Sequence, residues 1–243
     1  MNYHSAKKYF DKGIVIMFKK ALAVAVLCGT SIAAQAVTID LRHEYIDSGI
    51  NADRVSVSHR FDNGLGFSVE AKWKSGGTNK DQAFSDLVGN GHEDQISWRW
   101  KANNNFSMTP ALTVESNDSR TIWKPNLQAQ YSFDSGFYLA ARYRFEYTRN
   151  PNDSNKEDDK VNRGDLWAGY ALGDWRTELN YVYAKSDHQI RSDNKKDSEE
   201  YNVKVAYKWD KNWAPYGEVG NVSGSKSTDE RQTRYRVGVA YSF

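Results

Sequence analysis

Basic side chains recur two residues apart in this chain of 243 residues. Arg142 and Arg144 form one such pair, and Arg234 and Arg236 form another. Because successive side chains of a β-strand point to opposite faces, a spacing of two places both members on one face. A guanidinium group donates two parallel hydrogen bonds to a carboxylate. A face that carries several arginines is therefore a candidate surface for carboxylate-bearing ligands.

Twelve cations are candidates for this surface. They share the polar face of segments whose other face is apolar, and rings of Arg or Lys along a pore select for anions. The predicted pore-lining residues are Arg42, Arg54, Arg60, Lys72, Arg99, Lys124, Arg142, Arg144, Lys204, Lys208, Arg234 and Arg236. The alternative for each is that it pairs with an acid and only stiffens the wall.

Charges on the polar face are unequal. With Lys74, Lys101 and Arg176 included, the face has 15 basic residues. Its eight acids are Asp40, Glu44, Glu70, Glu115, Glu146, Asp165, Glu178 and Glu218. The excess of cations predicts a basic, anion-selective bore, with Arg42, Arg142 and Arg236 near mid-height.

The elements that position these residues are strands. From residue 65 to 74 every odd position is apolar, and the even positions are Gly, Ser, Glu, Lys and Lys. This period of two is typical of a strand with one apolar face. It recurs twelve times and continues to Phe243. Twelve strands are too wide to be filled by side chains as an eight-stranded barrel is, so we expect the polar face to line water and the apolar face to meet lipid.

The connections between the strands favour a barrel. Short turns such as Asp62 to Gly64 alternate strictly with mostly longer polar segments such as Ser75 to His92. Aromatic residues cluster at both ends of the strands, as they do at the two membrane interfaces. The prediction is an all-β fold, a single 12-stranded antiparallel up-and-down transmembrane barrel with short periplasmic turns and longer extracellular loops. A soluble lipocalin-like barrel or sandwich is the alternative.

Composition excludes two other classes. Hydrophobic residues make up 39% of the chain and its mean hydropathy is -0.78, and no apolar run approaches the 20 or so residues of a membrane-spanning helix. Aromatic residues make up 14%, which is too many for a disordered chain. Neither a helical membrane bundle nor a disordered protein fits.

Residues 1–36 have the pattern of a secretory signal peptide. Lys19 and Lys20 precede a short apolar stretch that ends at Cys28, and Ala34 and Ala36 form an A-x-A cleavage site. Residues 1–16 are a possible upstream start extension, because Met17 opens a signal peptide by itself. Lipidation at Cys28 is the alternative. The barrel is expected to span 37–243.

Removing residues 1–36 changes the charge. The remaining chain has 28 basic and 30 acidic residues and no Cys, so the pI of about 8.4 belongs to the precursor. We therefore predict no nucleic-acid partner. The sequence also predicts no metal site and no cofactor.

Several segments closely resemble the oligogalacturonate-specific porins, the KdgM type of enterobacterial outer-membrane channel. They are YKWDKNW at 207–213, NVSGS at 221–225 and TDERQTRYRVGV at 228–239, with DRV at 53–55, SHRF at 58–61, and Glu70, Lys72 and Trp73. The resemblance implies a twelve-stranded monomer in the Gram-negative outer membrane that admits acidic oligosaccharides released from pectin by passive diffusion. A sialic-acid channel of the same group is the alternative substrate assignment.

The terminal strand and the polar-face aromatics add two expectations. The strand ending in Phe243 resembles the signal read by the outer-membrane assembly machinery, so we expect that machinery and outer-membrane lipid as partners. Tyr138, Trp167 and Tyr216 are candidates to stack on sugars, or are spacers.

An outer-membrane enzyme of the phospholipase kind is the rival class, and a passive structural barrel or adhesin is a third. An enzyme needs a nucleophile beside a base. Ser58 and His59 are adjacent in sequence, but the period of two sends them to opposite faces. His43 and His59 are expected on the lipid side without an acidic partner. The sequence therefore predicts a channel and not an enzyme.

Overall fold

Twelve strands make up the computed structural model, which describes residues 37–150 and 157–243. The predicted signal peptide lies outside these ranges. The strands are β1 Thr38–Ile46, β2 Ile50–Arg60, β3 Leu65–Lys74, β4 Val88–Trp98 with its continuation Trp100–Lys101, β5 Phe106–Ser116, β6 Thr121–Ser132, β7 Phe137–Arg149, β8 Asp159–Leu172, β9 Trp175–Ser186, β10 Asp197–Tyr207, β11 Trp213–Ser223 and β12 Arg231–Ser242.

The sheet closes on itself. Each strand pairs antiparallel with its neighbours in sequence, and β1 pairs with β12 from Thr38 opposite Ser242 to Ile46 opposite Arg234. Closure leaves no strand edge unpaired. The predicted all-β, twelve-stranded antiparallel up-and-down barrel is confirmed. Within the described ranges, no helix has the length and apolarity to cross a membrane.

The connections define two rims. The short-turn rim has the connections 61–64, 102–105, 133–136, 173–174 and 208–212. The long-loop rim has 47–49, 75–87, 117–120, 150–158, 187–196 and 224–230. The prediction that short and long connections alternate strictly is wrong at 47–49 and 117–120, which are short although they lie on the long-loop rim. Gly49 has a positive φ of 83°, and Asn117 Oδ1 accepts the N–H groups of Ser119 and Arg120, so both connections are tight turns.

Asparagine and aspartate side chains build the short turns. Asn63 Oδ1 accepts the N–H of Leu65 at 3.0 Å. Asp210 Oδ1 accepts the N–H groups of Asn212 and Trp213, both at 2.7 Å. These two donors hold the pKa of Asp210 below its usual value. Such side chains replace a backbone acceptor in a turn, which explains the Asp and Asn signals between the strands.

The apolar face of the sheet is the outer face. Val69, Leu139 and Val237 are 54%, 45% and 61% exposed, whereas Asp165 and Lys124 on the other face are 1% and 5% exposed. On that second face, side chains two strands apart touch each other, as Lys72 Nζ on β3 and Glu115 on β5 do at 3.5 Å, and the concave side of a closed sheet favours such contacts. The predicted assignment of the two faces therefore holds, and we call the second face the inner wall.

Two glycines of the inner wall accept tyrosine rings from the neighbouring strand. Tyr138 on β7 lies opposite Gly169 on β8, and Tyr216 on β11 lies opposite Gly238 on β12. A Cβ atom at either glycine would overlap the ring. Each tyrosine thereby crosses one strand, and the Tyr216 hydroxyl donates to Asp40 Oδ1 on β1 at 3.0 Å. The missing side chains let the tyrosines tie together strands that are not paired.

Aromatic rings cluster at the short-turn rim on the outer face. The Tyr131 and Phe133 ring centroids are 4.8 Å apart. Tyr241 lies 4.7 Å from Trp213 and 4.9 Å from Phe243. These clusters occupy the position expected for an interfacial aromatic girdle.

Candidate functional site

Ten of the twelve predicted cations lie on the inner wall. Residues that lie opposite each other on neighbouring strands share a face of the sheet. Arg42 lies opposite Arg54, Arg54 lies opposite Lys72, and the same register can be followed around the barrel. The ten are Arg42, Arg54, Arg60, Lys72, Lys124, Arg142, Arg144, Lys204, Arg234 and Arg236. Arg99 lies in the one-residue interruption of β4, and Lys208 lies one residue past β10. Both of these are exposed at the short-turn rim.

The structure adds four charged residues to the predicted inner wall. They are Glu93, Asp159, Arg163 and Glu200. The prediction omitted them because β4, β8 and β10 begin earlier than the apolar alternation indicates, so that these residues lie within strands and face inward. Because Arg99 and Lys208 lie at the rim, the described inner wall has 14 cations and 11 acids, so the predicted excess of seven is too large and becomes three. Their polar positions continue the period of two, since Glu93 precedes Gln95 and Ser97, and this signal would have revealed them.

Two lysines and three glutamates form a cluster on β3 to β6. Lys72 Nζ lies 3.2 Å from Glu93 and 3.5 Å from both Glu70 and Glu115. Lys124 Nζ lies 2.8 Å from Glu93 and also contacts Glu115. Because its carboxylates outnumber its cations by one, this cluster has no unpaired positive charge of its own.

Arg54 on β2 and Arg236 on β12 are also bound to carboxylates. Arg236 lies 2.6 Å from Glu44 and 2.7 Å from Glu218 and so bridges β1, β11 and β12. Arg54 lies 2.5 Å from Asp40. Removing one partner of such a pair leaves a carboxylate without compensation, which costs more free energy than the pair contributes.

A third ion-pair group lies on β7 and β8. Arg142 Nε lies 3.1 Å from Asp165, and Arg163 Nη2 lies 2.7 Å from the same carboxylate. Arg144 lies 2.8 Å from Glu146. The register of β7, which places Arg142 and Arg144 in the lumen, is therefore as predicted, and both arginines have acidic partners.

Arg42 and Lys204 differ from these cations. Within 37–150 and 157–243, neither has a carboxylate oxygen within 4.0 Å. Arg42 lies opposite Arg54, and its buried Nε has no hydrogen-bond partner. Lys204 Nζ lies 4.0 Å from the centroid of the Tyr216 ring. Among the described residues these two inward cations therefore form no salt bridge. Arg60 also forms none, but its guanidinium donates to the Gly64 carbonyl oxygen at 2.8 Å and to Ser97 Oγ at 3.2 Å.

Three inward aromatic rings contact cations. Arg176 lies 4.7 Å from the centroid of Tyr138, which is 6% exposed and also donates to Glu178. Arg142 lies 5.1 Å from the centroid of Trp167. The hydroxyl groups of Tyr138 and Tyr216 thus link strands that are not paired. Trp167 alone of the three candidates lines an open cavity.

That cavity has a volume of about 210 Å³ and lies in the inner wall between β8 and β12. Its lining comprises four basic, three acidic and two amide side chains, with Trp167 and Val182. Donors and acceptors of hydrogen bonds therefore face one volume that opens to the lumen, an arrangement that suits a ligand bearing both carboxylate and hydroxyl groups.

The histidines do not assemble a nucleophile and base. Ser58 faces inward and His59 outward, where its ring lies 4.4 Å from that of Phe61. The expectation that His43 has no acidic partner is wrong, because His43 Nδ1 lies 2.8 Å from Asp53 Oδ1 on the outer face. Among the described residues, no hydroxyl group hydrogen-bonds to His43, and no cluster of His, Cys, Asp or Glu could hold a metal ion.

Known proteins resemble this chain over most of its length. The family model described as oligogalacturonate-specific porin protein (KdgM) matches residues 30–243. The oligogalacturonate-specific porin KdgM of Dickeya dadantii is 42% identical over 237 residues, covering 92% of this chain and 99% of the relative. YiiY of Salmonella typhimurium is 43% identical over 211 residues, covering 86% and 92%. The solved structure of the KdgM porin in complex with disordered oligogalacturonate is 36% identical, with a TM-score of 0.65 and coverage of 85% and 99%.

Proposed function

Because the chain belongs to the family of oligogalacturonate-specific porins of the Gram-negative outer membrane, we propose that its lumen admits oligogalacturonates by passive diffusion. The Dickeya dadantii relative is named for this specificity, and the related solved porin was obtained with oligogalacturonate. Both relatives support the substrate class.

The observation that carries the proposal is the excess of cations on the inner wall. Each galacturonate unit bears one carboxylate at pH 7, so a short oligomer is an extended polyanion. In a wet pore, a contact between unit charges contributes about 1 to 4 kcal/mol. Several weak contacts in series favour entry of the polyanion without trapping it. We assign this role to the ten predicted cations of the inner wall, with Arg99 and Lys208 at the short-turn rim. Arg42 and Lys204 are foremost because neither forms a salt bridge among the described residues.

The proposal has further parts. Residues 1–36 are removed during export, Phe243 at the end of the terminal strand is read by the assembly machinery, and the barrel functions as a monomer surrounded by outer-membrane lipid. The channel has no enzymatic activity. The separation of Ser58 from His59 supports this last part, since the two side chains lie on opposite faces of β2.

Planar-bilayer recordings test the function. We expect reversal potentials that show preference for anions and transient block of the current by oligogalacturonate, with block weakened in Arg142→Ala and in Arg236→Ala. Lys160→Gln is the matched control, because Lys160 lies opposite Tyr147 on the outward register of β8 and is exposed. Cation preference in the wild type, or block that neither lumenal substitution changes, would contradict the proposal.

A further inference from the structure

We propose that the cavity between β8 and β12 is a discrete subsite for one uronate unit of an acidic oligosaccharide. In this subsite Lys204 binds the carboxylate, the neighbouring glutamates accept hydrogen bonds from ring hydroxyls, and Trp167 packs against the sugar face. The inference rests on the proposed function and adds a place in the lumen where the passing oligomer pauses.

The cavity is small, and we therefore assign it a single sugar unit. Its volume of about 210 Å³ is below the range of about 300 to 1,000 Å³ of pockets that enclose drug-sized ligands. The space exists partly because Gly220 on β11 has no side chain, so that Asn202 and Arg234 from the flanking strands lie over it. Asn202 Oδ1 accepts from Arg234 at 2.8 Å, and Asn202 Nδ2 donates to Asn180 at 2.9 Å, which holds this part of the lining in place.

Lys204 is kept free although two glutamates lie opposite it. Cross-strand pairing places Glu178 on one side of Lys204 and Glu218 on the other. Neither carboxylate comes within 4.0 Å of the ammonium group. Tyr138 donates to Glu178, and Arg236 binds Glu218 at 2.7 Å. Because other donors hold both carboxylates, the three N–H groups of Lys204 remain available to a ligand carboxylate.

Two carboxylates of the lining, those of Glu178 and Glu200, provide acceptors for hydroxyl groups. Tyr138 uses one oxygen of Glu178, and Arg234 uses one oxygen of Glu200 at 3.2 Å. The second oxygen of each has no hydrogen bond among the described residues. A uronate carries one carboxylate and several hydroxyls, so it can use both the free cation and these acceptors. An anion without hydroxyl groups donates no hydrogen bonds to these glutamate oxygens. Its binding is opposed because the oxygens would be buried without a donor.

Single-channel recordings of block test the subsite. We expect Lys204→Gln to shorten the residence time of an oligogalacturonate trimer about tenfold, because a hydrogen bond to a charged group contributes about that factor or more. Trp167→Leu should shorten it as well, and Trp167→Phe should recover most of the wild-type time. Lys185→Gln is the control, since Lys185 is exposed on the outward register of β9. Heat-modifiable gel mobility verifies that each variant is folded.

A polyanion without hydroxyl groups distinguishes binding at the subsite from general electrostatic attraction to the basic lumen. For triglutamate, Lys204→Gln should reduce residence only slightly and Trp167→Leu should leave it unchanged. If wild-type channels are not blocked by oligogalacturonate from either side, the proposed function fails and the subsite with it. If the wild type is blocked but residence is unchanged in Lys204→Gln, or falls equally for both polyanions, the subsite alone is overturned.

Discussion

Inward-facing cations differ in their partners, and this difference separates structural from functional roles. Arg236 binds two carboxylates on two neighbouring strands, whereas Arg42 has none within 4.0 Å among the described residues. Both substitutions to a neutral side chain remove one positive charge from the lumen. Only the loss of Arg236 leaves carboxylates, those of Glu44 and Glu218, without their partner.

We therefore expect Arg42→Gln and Arg236→Gln to reduce anion preference by similar amounts but to differ in stability. Arg236→Gln should lower the free energy of unfolding by about 1 to 3 kcal/mol, between the values for exposed and buried pairs. Arg42→Gln should leave it nearly unchanged, because repulsion of Arg42 by Arg54 and Arg236 offsets its attraction to Glu44 and Glu70. Urea titrations followed by gel mobility, with reversal potentials on the same proteins, measure both quantities. Equal destabilisation by the two substitutions would contradict this division.

Strands that are not paired are linked across the inner wall by tyrosines. Tyr216 on β11 passes over Gly238 on β12 and donates to Asp40 on β1. This contact spans the junction between the two ends of the sheet, where closure occurs. Gly238 is required because any Cβ there would meet the Tyr216 ring and the carbonyl oxygen of Leu41.

Gly238→Ala should destabilise the barrel by about 1 to 3 kcal/mol, as overpacking of a close contact does. Gly217→Ala is the matched control, because no atom lies within 4 Å of a Cβ at Gly217 on β11. Denaturation midpoints of both variants in the same detergent measure the difference. In the Tyr216→Phe background the effect of Gly238→Ala should persist, since the ring and not the hydroxyl occupies the space. Equal denaturation midpoints for the two alanine variants would show that the Tyr216 ring does not need the space left by the missing side chain of Gly238.

The barrel as a whole combines a nearly balanced inner wall with a small positive excess. Most inward carboxylates are bound to cations, as Asp165 is to Arg142 and Arg163. The remaining field comes from few charges that face water. Such a field is screened by salt, with a Debye length of about 10 Å at 0.1 M and about 3 Å at 1 M.

Anion preference should therefore be strong at 0.1 M salt and approach the ratio of free-solution mobilities at 1 M. Reversal potentials under tenfold gradients centred on each concentration measure this dependence. The Arg42→Gln channel provides the internal comparison, because its preference should differ from that of the wild type at 0.1 M and converge with it at 1 M. Preference independent of salt would instead indicate a steric filter.

Local pattern was enough to predict the strands, their faces and the family. A period of two assigns each side chain to one side of a strand wherever the strand lies, so Arg142 and Leu139 could be placed on opposite faces without coordinates. Most strand ends on the long-loop side were less predictable, because polar residues such as those around Glu93 and Glu200 break the apolar alternation while the strand continues.

Which cations remain free could not be inferred from the chain alone. Lys204 lies opposite two glutamates and is nevertheless free, while Arg236 is bound to two, because the outcome depends on competing donors from strands distant in sequence. Ion pairing is decided by cross-strand register and by side-chain reach across a closed sheet, and neither quantity is contained in the local periodicity that determines the faces.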